Sequence, residues 1–162
     1  MSDSADVTFD VVDPRSVEAR SAIDQYFVEL DERFATGFDP GPGGAAADAD
    51  TLRAPTGVFV LMRSADGTVG CGGLITIDRT TAEIKRMWVH SGRRGEGLGK
   101  RLLAHLEGVA AQLGHRRVVL DTNESLAEAI AMYTRSGYHP IERYNDNPYA
   151  HHWFAKDLEI AP

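Results

Sequence analysis

The 162-residue chain has 43% apolar and 25% charged side chains, ordinary globular usage with enough apolar material to bury a core without disulfide staples. Its formal charge of -7 argues against a nucleic-acid backbone as partner, since phosphate binding draws on clustered Lys and Arg. No apolar run approaches the roughly 18 residues of a membrane span, and the acidic opening MSDSADVTFD is unlike a basic, then apolar, secretory leader. One cytoplasmic domain spanning residues 1–162 is expected, with no membrane partner.

Taken in order, VTFDVV (7–12) alternates as a short strand closed by Asp13 and Pro14. From Ser16 a helix is predicted, with Ile23, Tyr26, Phe27, Leu30 and Phe34 at spacings of three and four on one face, stopped by Gly37. Residues 37–55 are rich in Gly, Pro and Ala and read as a long loop on the substrate side. Three β-rich runs follow, GVFVLMR, TVGCGGLITID and TAEIKRMWVH, joined at Asp66-Gly67 and at Asp78–Thr81 as an antiparallel meander. The glycines of GCGG (70–73) lie mid-strand and suggest a bulge or a close-packing site. Cys71 is the only cysteine; it lies in this apolar strand and reads as a structural thiol in a reducing compartment.

Leu98, Leu102, Leu106, Val109 and Leu113 mark a second helix, 97–113, capped by Gly114. RRVVLDT is then a strand, and SLAEAIAMYTRSG a third helix with Ser125 as N-cap, Glu128 as its capping-box partner and Gly137 as its stop. YHPIERY and YAHHWFAKDL complete the chain as strands. The order β-α-β-β-β-α-β-α-β-β describes a mixed α/β domain of the α+β type with one strand-helix-strand crossover.

That crossover holds RRGEGLGK (93–100). A Walker loop would need glycine at position 94 and Ser or Thr at 101, where arginines stand; a dinucleotide fingerprint on Gly95 and Gly97 would need glycine at position 100, which is Lys100. What remains is R-x-x-G-x-G directly before a helix. The unpaired N–H groups of such a helix start, with its positive dipole end behind them, can hold a pyrophosphate.

The stretches EIKRMWVHSGRRGEGLGKRLLAHLE and LDTNESLAEAIAMYTRSGYHPIERY resemble the acetyl-CoA-binding core of the GNAT superfamily of N-acetyltransferases and the segment that follows it. With the element order, the resemblance covers nearly the whole chain. It implies a GNAT-like fold whose fourth and fifth strands splay apart to receive acetyl-CoA. Met87, Trp88 and Val89 would offer main-chain bonds to the acetyl and pantetheine amides, and Arg94, Gly95, Glu96, Gly97, Leu98, Gly99 and Lys100 would wrap the pyrophosphate. Many members have Asn where this chain has Leu126; Asn123, three residues earlier, is either a pantetheine contact or a turn residue.

Acetyl transfer to an amine requires a neutral nitrogen, a polarised carbonyl and a proton for the departing thiolate. The resemblance places Tyr133 as the proton donor, against the alternative of a tyrosine packed on the helix's buried face. Glu83 and Asp121 are the candidate bases, each also readable as a solvated strand-end charge. His151 and His152 are neighbours on a strand and point to opposite faces; no metal-ligand spacing occurs elsewhere, so no metal is expected. The activity implied is acetyl-CoA-dependent N-acetylation of a small primary amine by direct attack in a ternary complex. A protein or peptide acetyltransferase and a catalytically silent acyl-CoA-binding module are the alternatives, and the sequence leaves the oligomeric state open, a homodimer included.

Overall fold

The computed structural model describes residues 6–159. Its elements are β1 (Thr8–Val11), α1 (Val17–Arg33), β2 (Gly57–Ser64), β3 (Gly67–Thr76), β4 (Thr81–Val89), α2 (Leu98–Gln112), β5 (Arg117–Thr122), α3 (Ala127–Arg135), β6 (His139–Pro140) and β7 (His152–Asp157), in the order expected from the sequence. They form a seven-stranded mixed sheet ordered β1-β2-β3-β4-β5-β7-β6. Among the described residues only the β4–β5 pair is parallel, and the crossover helix α2 joins these two neighbouring strands.

The period-2 pattern of β2 divides the core between the two faces of the sheet. Val60 and Met62 join Leu98, Leu102, Leu103, Leu106 and Ala110 of α2, with Tyr133 of α3, on one side. Phe59 and Leu61 join Ala19, Ala22 and Ile23 of α1, with Cys71 and Trp88, on the other. Helix α1 begins at Ser16, whose hydroxyl accepts from the Ala19 N–H at 3.2 Å. Helix α2 ends where Gly114 turns left-handed, at φ +94°. Gly72 is a close-packing site: a Cβ there would stand 2.7 Å from Leu106 Cδ1.

The splay that positions the site has a local cause. The β3–β4 register skips between Cys71 and Gly73, and Arg86, within β4, has a left-handed φ of +55°. The bulge bends β4 away, so its pairing with β5 stops after Thr81, Ala82 and Glu83. Beyond that point β5 is paired only with β7.

Several boundaries differ from the sequence reading. Ser125 does not cap α3: its N–H donates to Asn123 Oδ1 at 2.8 Å and its carbonyl accepts from Arg33. The helix starts after Leu126, with no side-chain cap, and Glu128 turns to Arg33 rather than back along the chain. The sixth strand shrinks to His139–Pro140, because Tyr144 and Asn145 turn inward to carboxylates on β4 and β5. Phe34 lies beyond the end of α1, still buried. Among the described residues, no helix is long and apolar enough to cross a membrane.

Candidate active site

Two cavities meet at the splay. The larger, about 840 Å³, runs from Met87, Trp88 and Val89 of β4 past Arg94, Gly95 and Gly97 to Leu98, Gly99 and Lys100 at the start of α2. No side chain caps this helix: its N-cap is Gly97, left-handed at φ +77°. Gly95 is also left-handed, at φ +85°, and a Cβ at either glycine would meet nothing within 4 Å. An uncapped helix start on an open turn fits a diphosphate, which takes its bonds from main-chain N–H groups and the helix dipole. The bulged half of β4, unpaired by β5, fits an extended amide chain added at its edge.

Three side chains of this stretch are engaged elsewhere. Arg94 donates through Nε to the Val89 carbonyl at 3.1 Å and through Nη2 to both oxygens of Glu29, at 2.7 and 2.6 Å. Glu96 pairs with Arg93 at 3.1 Å. Trp88 is buried in the α1-side core and donates its indole N–H to Glu29 at 3.2 Å. These residues therefore offer the cleft their main chain.

Glu29 collects Arg33, Trp88 and Arg94, and Arg33 continues to Glu128 and the Ser125 carbonyl. This chain of charges ties α1 to the glycine turn and to α3 across the larger cleft. The Arg33 hydrogen bond holds the Glu128 carboxyl below its ordinary value. No local pattern signals this pairing, because Arg33 and Glu128 stand 95 positions apart.

The smaller cavity, about 430 Å³, adjoins the larger along β4, from Ile84 to Met87, and is walled by α1, the 37–55 loop, β5 and residues 147–150. The loop is packed rather than open. Ala45, Ala49 and Leu52 are buried, and the Asp39 N–H donates to Tyr149 Oη at 3.0 Å. Tyr26, Leu30, Met87, Leu126, Ala129 and Tyr133 line both cavities and mark their junction. Tyr133 is 7% exposed, its ring held by Tyr138 and Phe154, and its hydroxyl lies 3.9 Å from Met87 Sδ. Burial, with Asp121 adding to it, pushes the phenol well above its ordinary value, so the hydroxyl stays protonated.

Asp121 lines the smaller cavity and accepts from Asn145 Nδ2 at 2.6 Å and Asn147 Nδ2 at 3.1 Å. Glu83 is buried and lines neither cavity; it accepts from Tyr144 Oη at 2.6 Å and from Asn145 Nδ2 at 3.4 Å. Asn145 thus joins the two carboxylates, its own oxygen held by Trp153 Nε1 at 2.9 Å. Asn123 is committed at both ends, donating to the Tyr149 carbonyl at 2.7 Å and accepting from Ser125, as a turn residue does. The carboxylate contacts of Tyr144, Asn145 and Asn147 escape a reading of the sequence, because a turn-forming N-D-N run looks the same whether or not its side chains reach a carboxylate.

Cys71 is fully buried, and burial pushes its thiol up to about 12, partly offset by the Arg86 charge. Such a thiol is a poor nucleophile. A thiol reagent at pH 8 is expected to leave the folded protein unlabelled and to react stoichiometrically once it is denatured; rapid native labelling would contradict the buried placement.

Residues 23–138 match the family model described as the acetyltransferase (GNAT) family. The chain is 31% identical over 138 residues to an IAA acetyltransferase of Azospirillum brasilense, covering 83% of this chain and 90% of that one. Its fold is similar to that of an acetyltransferase from Streptococcus agalactiae 2603, with a TM-score of 0.78, 19% identity and coverage of 94% and 98%. A GNAT family acetyltransferase from Elizabethkingia anophelis with acetyl-CoA bound has a TM-score of 0.67 at 15% identity, with coverage of 94% and 99%.

Proposed function

This chain belongs to the acetyltransferase (GNAT) family and is an acetyltransferase, and from that premise we propose that it transfers an acetyl group from acetyl-CoA to the primary amine of a small molecule, by direct attack in a ternary complex. The observation that carries the reading is the pair of cavities meeting at Tyr133 and Met87, one opening on an uncapped helix start and the other walled in part by the loop. Bound in the larger cleft, acetyl-CoA supplies the activated thioester. The start of α2 and the glycine turn hold its diphosphate through main-chain N–H groups, and the free edge of β4 orients its amide arm.

The acceptor enters the smaller cavity, and Asp121 is the carboxylate on its wall that receives the ammonium proton, directly or through a water. Asn145 and Asn147 fix the orientation of that carboxylate. Tyr133 gives its proton to the sulfur as the thioester breaks and is reprotonated by the proton that the new amide nitrogen sheds. With Cys71 sealed from solvent, no acetyl-cysteine stage is required. Packing of the 37–55 loop across the acceptor side supports a small substrate over a peptide, which needs an open groove.

The test is a screen of amino acids, arylamines, polyamines, aminoglycosides and lysine peptides with acetyl-CoA, followed through released thiol and mass of the product. N-acetylation confined to small amines is the expected result. Acetylation of peptides alone, or thiol release only as hydrolysis, would overturn it.

A further inference from the structure

We propose that the acceptor amine also carries a carboxylate, anchored by Arg86, and that the substrate class is amino acids with an apolar or aromatic side chain. This rests on the smaller cavity being the acceptor side.

Arg86 has only 10% of its side chain exposed and lines this cavity. On a regular strand, neighbouring side chains point to opposite faces. The left-handed φ of Arg86 breaks that alternation at the bulge, and Lys85, Arg86 and Met87 all line the same cavity. The cation therefore sits one residue from Met87, whose sulfur neighbours the Tyr133 hydroxyl.

Its compensation is partial. The guanidinium donates to the carbonyls of Ala45 at 3.3 Å and Ala47 at 2.8 Å, and stacks over Phe27 with 5.1 Å to the ring centroid. Neither carbonyls nor a ring cancel a full charge. Asp48, its one acidic partner among the described residues, is 59% exposed and lies at 3.4 Å. Nε and one Nη1 hydrogen have no acceptor among the described residues. Lys85, the other cation on this wall, is already paired with Glu83 at 3.7 Å. A buried cation with donors to spare is a site for a carboxylate, which the guanidinium fork matches.

The remaining wall indicates the rest of the molecule. Phe38 packs against Phe27 and Tyr149, with ring centroids 5.1 and 4.8 Å apart, and the three rings give the cavity an apolar wall. Asp121 supplies the opposite charge for the ammonium. A cation, an anion and an aromatic surface in one enclosure complement a zwitterion with an apolar side chain.

The test compares phenylalanine, its methyl ester and 2-phenylethylamine, and the matching tryptophan set, as acceptors with acetyl-CoA, with rates referred to the free-amine fraction. Wild type is expected to favour the acids in kcat/KM by about 10–100-fold, the range of one charge-assisted pair, mainly through KM. Arg86→Met should bring the acids down to the level of their esters while the esters stay within threefold. Asp48→Asn keeps the guanidinium and its backbone contacts but removes the competing carboxylate. It should lower KM for the acids several-fold and leave the esters unchanged, a result that does not depend on how Arg86→Met folds. Esters or decarboxylated amines acetylated as well as the acids by wild type would overturn the inference and leave N-acetylation of small amines standing. No N-acetyl product from any of the three forms, with acetyl-CoA still bound, would overturn the inference, and the proposed function with it if the wider amine screen also gives none.

Discussion

Tyr133→Phe is expected to lower kcat by about 10²–10⁴-fold, the usual worth of a positioned proton donor, with the affinity for acetyl-CoA within twofold of wild type. The substitution removes one oxygen and keeps the ring that packs on Tyr138 and Phe154. The hydroxyl makes a single weak interaction, with Met87 Sδ at 3.9 Å, so its removal orphans no buried partner and stability should change by about 0.5 kcal/mol or less. The pH dependence follows from the direction of the shift. A phenol raised above its usual value keeps its proton across the working range, so wild type should show no loss of rate from Tyr133 ionisation below pH 10. Stopped assays of product, with acetyl-CoA binding measured by titration, separate the two quantities. Unchanged turnover in the variant would remove Tyr133 from the chemistry.

Gly97→Val should abolish measurable acetyl-CoA binding, a loss of more than about 100-fold, in a protein that still unfolds cooperatively. Gly97 is left-handed at φ +77°, where an L-residue costs about 1–2 kcal/mol and a β-branched one more. The space around it is open, with nothing within 4 Å of an added Cβ, so the isopropyl group would occupy the turn on which the diphosphate is proposed to lie. Relief of the strain would also turn the first N–H groups of α2 off their target. At this chain length about 1–2 kcal/mol lowers Tm by only several degrees. Calorimetry of acetyl-CoA binding beside a thermal melt checks both halves. Retained affinity would show that the turn does not hold the diphosphate.

The glycine turn is legible in the sequence because its chemistry is local: R-x-x-G-x-G before a leucine-patterned helix describes an uncapped helix start without any distant residue. The same holds for the meander and for the stop at Gly114, which is left-handed as a C-cap should be. The start of the third helix departs from its local pattern for the complementary reason. Ser125 and Glu128 satisfy the capping-box spacing, but Arg33, 95 positions from Glu128, offers that carboxylate a full charge in place of one backbone N–H. Local pattern yields when a distant partner binds more strongly.

The amino-acid sequence by itself determined the order of elements, the glycine turn and the place of Tyr133 ahead of Gly137, since each depends on backbone preference or on spacing within one helix. Only the tertiary structure decided that Arg94 spends its side chain on Glu29, that Asn145 bridges Glu83 and Asp121, and that Arg86 lines one cavity with Lys85 and Met87. Those outcomes depend on where β4 parts from β5 and on which distant groups then come within hydrogen-bond reach, and residue order along the chain does not encode such distances one at a time.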